Sequence, residues 1–382
     1  SAQEEIHRAG GWHGKGPEVI VADLRYYASR WADSAEQRLA HMYPRIGVSL
    51  ELAKGRPELS ELVGQELRPI AWLWARTVRS PDPAFREVAV PLMSTFQLST
   101  KKGREVHLEP VIRDREYRFV VKSGEGGNVT RSEVREGTRL ATGANFRCLL
   151  SGAPITPDYI QEEAKAGRLG ARLVAIVVDS DRGRFYLPAT KAHEEAASLT
   201  PPSWTPDAEF FQKALGFRVG NYGMSRWRDL FTGRQLVALS TFADLIGDVR
   251  TLVRSEALAA GNHDDGVRLS EGGANATAYA DCIATYLAFV ISKVADYNCA
   301  LVPWYTKEDR PGHLFSKQAI PMVWDYAELN PLSDVGGSLR ASSRIVADAL
   351  LGCPMSSPRR ASVQQLDAMS SALPFKCVVS TD

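Results

Sequence analysis

The feature that most constrains the fold is a change of hydrophobic period near residue 70. From Val21 to Tyr43 the apolar residues recur at intervals of three or four, which predicts an amphipathic helix that ends before Pro44. From about Ile70 to Arg147 the pattern changes to short strands, separated by turns such as Pro-Asp-Pro, Lys-Lys-Gly and Gly-Glu-Gly-Gly. A helix followed by a small antiparallel β-domain is therefore expected.

The chain beyond the proline-rich connector at 200–206 has mainly helical patterns. Thr232 and Gln235 match a capping box, which predicts the start of one long helix, and a second is predicted from about Thr277 to Asn298. Two further helices are expected at 338–351 and 362–371.

The last stretch of the chain, "ALPFKCVVSTD" at 372–382, has the pattern of an apolar strand that ends in a carboxylate. Continuous apolar strands are typical of parallel sheets, whose ligand sites lie beyond the carboxyl ends of the strands. Asp382 is therefore a candidate catalytic residue. The periodicity alone does not distinguish this role from an ordinary strand end.

The composition is that of an ordinary soluble protein, with 44% hydrophobic residues, 24% charged residues and a net charge of +1 in 382 residues. This balance excludes a globally basic nucleic-acid-binding protein, so any polyanion site must be local. Between Lys213 and Arg254 seven basic residues stand against three acidic ones. The five scattered cysteines and the polar N-terminal stretch predict reduced thiols, no secretory signal and a cytoplasmic location. The apolar runs are too short to predict a membrane span.

Residue types for metal or nucleophile chemistry are sparse. Cys148 is the one thiol at the turns of the β-rich region, and one soft ligand cannot hold a tetrahedral zinc ion. The histidines show no metal-binding spacing, and no G-x-S-x-G elbow occurs. We therefore expect no zinc, and we interpret Cys148 as a small buried thiol.

Two stretches are candidates for nucleic-acid contact. In "GNYGMSRWRDLFTGRQ" at 220–235, Arg226, Arg228 and Arg234 alternate with aromatic residues that include Trp227, a mixture common on nucleic-acid surfaces. The alternative is that the aromatic residues are core and the arginines merely flank them.

The second stretch is a long aromatic loop at 302–331, which also carries Lys307 and Arg310. Long loops are often functional. A packed structural loop is an equally good interpretation of the pattern.

Six stretches together span most of the chain, from about residue 22 to 382: "ADLRYYASRWADSAEQRLAHMYP", "PIAWLWARTVRSPDPAFREVAVPLMSTFQLSTKKG", "NYGMSRWRDLFTGRQLVALSTFADLIG", "YADCIATYLAFVISKVADYNCALVPWY", "QAIPMVWDYAELNP" and "VVSTD". In this order they resemble the bacterial and archaeal adenine-specific DNA methylases described as containing a zinc ribbon, whose members also carry an N-terminal domain of unknown function.

The resemblance implies a function and assigns one residue to it. In the family the last strand runs into D-P-P-Y, a motif that holds the amino group of a flipped-out adenine. Asp382 occupies the first position of this motif. The family binds S-adenosylmethionine through a glycine-rich turn, and neither that turn nor Pro-Pro-Tyr is present in these 382 residues. The chain alone is therefore expected to be inactive.

The resemblance also implies a zinc ribbon that has lost its metal. The positions that correspond to the four cysteine ligands of the family are Ser80, Phe85, Cys148 and Ser151. The ribbon fold is expected to persist without zinc.

Taken together, the sequence predicts a mixed α/β and α+β chain with an incomplete Rossmann-like core. We expect the chain to be part of a DNA amino-methyltransferase that acts on adenine N6. The expected partner is DNA, and one alternative adds a second protein subunit. The alternative is a non-catalytic DNA- or partner-binding protein of a modification or phage-defence complex. The expected segments are 1–68 (lead-in and core helix), 69–200 (degenerate zinc-ribbon-like insertion), 201–335 (helical DNA-recognition region) and 336–382 (return to the core).

Overall fold

The computed structural model describes residues 17–124, 128–140, 143–210, 216–316 and 319–353. These residues form a mixed α/β structure. The helix expected at 362–371, the terminal strand and Asp382 lie outside the described residues.

Four long helices form one layer of the fold. The described residues contain eight α-helices: α1 Pro17–Leu39, α2 Leu50–Ala53, α3 Arg131–Glu136, α4 Pro157–Lys165, α5 Lys191–Ala197, α6 Gly233–Ala259, α7 Ala276–Tyr297 and α8 Leu339–Leu351. Helices α1, α6, α7 and α8 pack on one another. The predicted capping box at the start of α6 is confirmed, since Thr232 Oγ1 accepts from the Gln235 backbone N–H and Gln235 Oε1 accepts from the Thr232 backbone N–H.

The strands form one central sheet and three smaller ones. In the described part of the chain they are β1 Ile46–Gly47, β2 Glu66–Arg79, β3 Ala89–Leu92, β4 Gln97–Ser99, β5 Val106–Arg113, β6 Glu116–Ser123, β7 Phe146–Arg147, β8 Pro154–Ile155, β9 Gly170–Ser180, β10 Gly183–Pro188, β11 Trp304–Tyr305, β12 Arg310–Pro311 and β13 Asp325–Leu329. Every pair among them is antiparallel. The parallel sheet of a Rossmann-like core is therefore not found among these strands.

Strand β2 organises the central sheet. One of its edges pairs with β9, which in turn pairs with β10. The other edge pairs in succession with β1, β13 and β3. Because β13 comes from residues 325–329, the β-rich stretch predicted at 70–147 is joined in one sheet to a strand that lies far away in the sequence.

The side chains of β2 alternate between two cores, as the period of a strand requires. Trp72 and Trp74 pack in the core that includes the helical layer, whereas Ala71, Leu73 and Ala75 belong to a second core on the opposite face. The first core contains residues from all four segments predicted from the sequence. The predicted boundaries therefore divide the sequence but do not separate its hydrophobic cores.

Helix α7 is the one described helix that could cross a membrane by its length and composition alone. It contains Asp281 and Lys293 and packs against α6, α1 and α8. A core helix of a soluble protein has the same character, so the described structure is compatible with a soluble protein.

Candidate nucleic-acid interface

Arg234 is buried and does not suit the phosphate contact expected from the sequence. It lies at the start of α6 with no exposed surface, and its Nε donates to Glu328 Oε1 at 3.0 Å. Its guanidinium also lies over the Trp72 ring at 4.0 Å from the centroid. Burial opposes the charged form, but the attraction of Glu328 outweighs it and raises the pKa of Arg234. Arg234 therefore joins helix to sheet, and its predicted role as a phosphate contact is wrong because its side chain has no exposed surface.

Arg228 is exposed and Arg226 is half-buried, and both lie against acidic side chains. Arg228 Nη1 is 2.7 Å from Asp207 Oδ1, and Arg226 Nη2 is 3.5 Å from Glu209 Oε1. Both carboxylates precede the stretch from Lys213 to Arg254 in the sequence, so the excess of basic residues in that stretch does not include them. A phosphate would have to displace them.

Trp227 is half-buried and packs edge-on against Phe210, with ring centroids 4.7 Å apart. This position fits the alternative interpretation of the stretch, in which the aromatic residues are core. The DNA contact predicted for Trp227 gains no support from this packing.

Lys307 and Arg310 lie on a surface where three hairpin turns meet. The turns are 99–105 between β4 and β5, 180–184 between β9 and β10, and 304–311, which contains β11 and β12. We call them together the hairpin-tip surface. The Thr100 N–H donates to the Thr306 carbonyl at 2.8 Å, and Arg104 Nη2 donates to the Arg182 carbonyl at 3.0 Å. Contacts of this kind hold turns from distant parts of the sequence side by side.

Asp309 is a buried residue that contacts both of the other turns of the hairpin-tip surface. Its Oδ1 accepts from the Tyr186 hydroxyl at 2.9 Å, and its Oδ2 lies 3.1 Å from Lys101 Nζ. The Arg184 guanidinium donates to the Asp309 carbonyl. Burial and the nearby Asp309 carboxylate raise the pKa of Tyr186, which keeps its hydroxyl protonated as a donor.

The hairpin-tip surface has an excess of positive charge. Its basic residues are Lys101, Lys102, Arg104, Arg182, Arg184, Lys307 and Arg310, and its acidic residues are Glu105, Asp181, Glu308 and the buried Asp309. Among the described residues, Lys102, Lys307 and Arg310 are exposed and have no acidic partner within ion-pair distance. Arg310 lies over the Tyr305 ring at 5.1 Å. Exposed, unpaired cations of this kind are suited to bind phosphate groups.

An aromatic cleft of about 550 Å³ opens beside this surface. Trp304 and Thr306 of the third turn line it, together with Trp74, Tyr222 and Trp324. The Trp304 indole N–H donates to the Leu98 carbonyl at 3.0 Å and lies 3.1 Å from the Tyr186 oxygen. The same tyrosine therefore contacts both Asp309 and Trp304, so the orientation of one cleft wall depends on the packing of the hairpin-tip surface.

Asp325 and Arg139 are two of the polar side chains that line the cleft, and each forms a hydrogen bond with Ser94. The Ser94 backbone N–H donates to Asp325 Oδ2 at 2.8 Å, and Arg139 Nη2 donates to Ser94 Oγ at 2.9 Å. Within the described part of the chain, Asp325 Oδ1 and Arg139 Nε are buried without a hydrogen-bond partner. Burial raises the pKa of Asp325 to about 7, although Ser94 and Arg139 oppose the rise. Unsatisfied buried polar groups are costly, and they are commonly found where a ligand binds.

The two turns predicted to form a metal-free ribbon do meet. Ser80 Oγ lies 3.2 Å from Cys148 Sγ, and both residues are buried. Burial alone would raise the pKa of Cys148, but hydrogen bonds from Ser151 and Ser80 outweigh it and lower the pKa. Phe85 lies in the short 3-10 helix Pro83–Phe85 of the first turn.

These residues do not suit a zinc ion, because only one of the four positions carries a thiol. In the described part of the chain no group of three or more His, Cys, Asp or Glu side chains is placed to hold a metal. The turns are instead joined by a hydroxyl–thiol contact and by apolar packing around Phe146, Ile155 and Trp324.

Sequence reasoning missed most of the hairpin-tip surface and the group that Asp325, Arg139 and Ser94 form in the cleft. The turns "TKKGRE" and "SDRGR" carry clustered basic residues at hairpin positions, and this signal could have identified the first two tips. Asp325, Arg139 and Ser94 lie far apart in the sequence, and no local pattern connects them.

Comparisons with known proteins identify no relative: no protein-family model, no curated protein and no solved structure matches the chain.

Proposed function

We propose that this chain is the DNA-recognition part of an S-adenosylmethionine-dependent DNA amino-methyltransferase, and that its hairpin-tip surface holds the phosphate backbone. The observation that carries the proposal is the junction of exposed, unpaired cations with an aromatic cleft. Phosphate contacts supply most of the affinity of proteins for DNA, and aromatic side chains stack on exposed bases. The two features lie side by side here, joined through Trp304.

Lys307 and Arg310 are the phosphate contacts retained from the sequence, and Lys102 is added to them. Arg226 and Arg228 contribute only if DNA displaces Asp207 and Glu209. Positive charge gathered on one face is compatible with a net charge of +1, because the rest of the chain balances it.

The chemical part of the proposal depends on the resemblance in sequence. It includes a Rossmann-like core and Asp382 as the carboxylate that orients an adenine amino group, as D-P-P-Y motifs do. The cytoplasmic location proposed with it depends on the scattered cysteines and the polar N-terminal stretch. S-adenosylmethionine would supply the methyl group. The described residues do not provide the glycine-rich turn that the family uses for this cofactor, so we assign it no binding residue.

A second candidate is a non-catalytic DNA-binding protein of a modification or defence complex, in which a second subunit takes part. The contact between Ser80 and Cys148 favours this candidate, because a chain that has replaced one metal site with a hydroxyl–thiol contact can have lost other sites too. Both candidates bind DNA. They differ in methyl transfer, which labelled S-adenosylmethionine and DNA would measure.

The test of DNA binding is fluorescence anisotropy of labelled duplex DNA at several salt concentrations. The variant Lys102→Ala/Lys307→Ala/Arg310→Ala should bind more weakly. Its slope of log K against log salt should fall by about 0.9 for each phosphate that the variant no longer neutralises.

A matched control is Arg135→Ala/Lys191→Ala/Arg344→Ala, which removes the same charge from exposed positions outside the hairpin-tip surface. The control should keep the wild-type slope. Equal weakening in both triple variants would show non-specific attraction only, and an unchanged affinity in the first would overturn the proposal.

A further inference from the structure

The cleft beside the hairpin-tip surface has the character of a ligand site. Its volume of about 550 Å³ falls within the range of small-molecule pockets, roughly 300–1,000 Å³. The larger part of its walls is apolar and aromatic, and polar side chains that include Ser94, Arg139 and Asp325 interrupt them. Such a cleft favours a flat ligand with a small number of polar atoms.

The aromatic walls are fixed in orientation. Tyr222 packs edge-on against Trp324 with ring centroids 5.0 Å apart, and the Trp304 N–H donates to the Leu98 carbonyl. Trp304 and Tyr222 are half-exposed, so part of each ring is accessible to a ligand. Rigid aromatic rings at the edge of a cleft are suited to stack on the face of a heterocycle.

The polar groups complement one edge of such a heterocycle. Asp325 Oδ1 is an acceptor and Arg139 Nε–H is a donor, and within the described residues neither has a partner. Both side chains form a hydrogen bond with Ser94, so both lie next to the same residue of the cleft. A ligand that satisfies both must present an N–H donor next to an acceptor.

We propose that the cleft binds one unpaired nucleobase, whose exocyclic amino group donates to Asp325 Oδ1 while its adjacent ring nitrogen accepts from Arg139 Nε–H. Adenine and cytosine have this edge. The proposal concerns the binding of a base and not methyl transfer, for which the proposed function names Asp382. It deepens that function and depends on it for the choice of an amino-bearing base. Arg218, which is exposed and lines the cleft, is placed at its rim as a candidate contact for the phosphate of the same nucleotide.

The probe is deoxyadenosine monophosphate, titrated calorimetrically into the whole protein. In Asp325→Asn the amide oxygen would keep the bond from the Ser94 N–H, which turns an NH2 donor toward the amino group of the base; Arg139→Gln removes the Nε–H donor. Each should weaken binding about tenfold, the effect of one lost buried hydrogen bond. Arg135→Ala and Asp334→Asn change exposed side chains of the same types and should bind as the wild type does.

A ligand analogue tests the hydrogen bond itself. N6,N6-dimethyl-deoxyadenosine monophosphate lacks the amino N–H and should bind the wild type about tenfold more weakly than the parent nucleotide. Its affinity for Asp325→Asn should equal its affinity for the wild type. Equal binding of the two nucleotides would overturn the proposal.

A milder variant, checked by thermal melting, distinguishes a loss of binding from a loss of folding. Ser94→Ala keeps the backbone N–H that binds Asp325 but removes the hydroxyl that holds Arg139. It should therefore weaken binding while melting close to the wild type. Full affinity in a folded Ser94→Ala and in a folded Arg139→Gln would contradict the proposal.

The source of the base is distinguished by a single-stranded oligonucleotide with and without one abasic position. If the abasic strand binds more weakly than the intact strand, the ligand is a base within DNA. If the two strands bind equally while the mononucleotide binds tightly, the ligand is a free nucleotide. Failure of the hairpin-tip variants to affect DNA binding would remove the proposed function. Failure of the cleft variants to affect the mononucleotide would remove only this inference.

Discussion

Arg234 and Glu328 form an ion pair in which neither side chain is exposed: Arg234 Nε lies 3.0 Å from Glu328 Oε1. Thr232 Oγ1 and the Trp74 indole N–H also donate to the Glu328 carboxylate, each at 2.9 Å. One carboxylate on β13 thereby joins the start of α6 to β2. This contact holds the helical layer on the sheet that carries the cleft.

Removing one partner of this pair should destabilise the fold strongly. Arg234→Met leaves the Glu328 carboxylate buried without its counter-charge, and the expected decrease in unfolding free energy is about 3–5 kcal/mol. Chemical denaturation would measure it. Arg234→Met combined with Glu328→Leu removes both charges and should recover part of the decrease, whereas equal decreases in the single and double variants would contradict the assignment.

Asp325 should make stability depend on pH. Its folded-state pKa of about 7 lies above the ordinary value of 3.8, so between these values the folded state holds a proton that the unfolded state has released. The free energy of unfolding should therefore fall as pH rises from 4 towards 7, at about 1.4 kcal/mol per unit at most.

The variant Asp325→Asn isolates this contribution. The wild-type unfolding free energy minus that of the variant should decrease from pH 4.5 to pH 7 and level off above it. A difference that rises or stays constant across this window would show that the carboxyl group does not titrate as the structure indicates.

Ser80→Ala should cost about 1 kcal/mol, because it removes the buried hydroxyl that contacts Cys148 Sγ and accepts from the Asp82 N–H. Thermal melting would measure the change. The same experiment with a strong chelator should leave the wild-type melting temperature unchanged, since three of the four ribbon positions lack a thiol. A chelator-dependent drop would show that a metal stabilises these turns.

Gly137→Ala should strain the wall of the cleft. Gly137 has φ of +58° and ψ of −125°, a conformation that essentially only glycine adopts. A Cβ atom there would lie 2.6 Å from the Met93 carbonyl oxygen and 2.9 Å from the Thr95 nitrogen, on either side of Ser94. The variant should melt earlier and bind deoxyadenosine monophosphate more weakly than Gly143→Ala, which shares a positive φ (+82°) but whose Cβ would make only an ordinary contact. Equal effects would contradict this explanation.

The sequence predicted the local elements better than their assembly. The helices α1, α6 and α7 follow from apolar residues at intervals of three or four, and the strands β5 and β6 follow from short β-branched runs between turns. These patterns are local, so a single chain displays them. The pairing of β2 with β13 joins residues about 250 positions apart, and nothing in either strand specifies its partner.

The candidate site shows the same limit. Lys307 and Arg310 were predicted because they lie beside a high density of aromatic residues in one long loop, and their exposure on the hairpin-tip surface keeps them as candidates. Arg234 was misjudged because the sequence does not reveal Glu328 as its buried partner. Asp325 was missed because an aspartate at a strand start is ordinary until Ser94 and Arg139 are seen beside it.

Photocrosslinking tests the central claim most directly. Single-stranded DNA that contains one 5-iododeoxyuridine next to an adenine would be irradiated with the protein, and the crosslinked peptides identified by mass spectrometry. If DNA lies over the hairpin-tip surface with a base in the cleft, we expect crosslinks to Trp304, Tyr305 or Tyr222. The Lys102→Ala/Lys307→Ala/Arg310→Ala variant should show fewer of them. Crosslinks confined to other surfaces, such as that of Arg226 and Arg228, would contradict it.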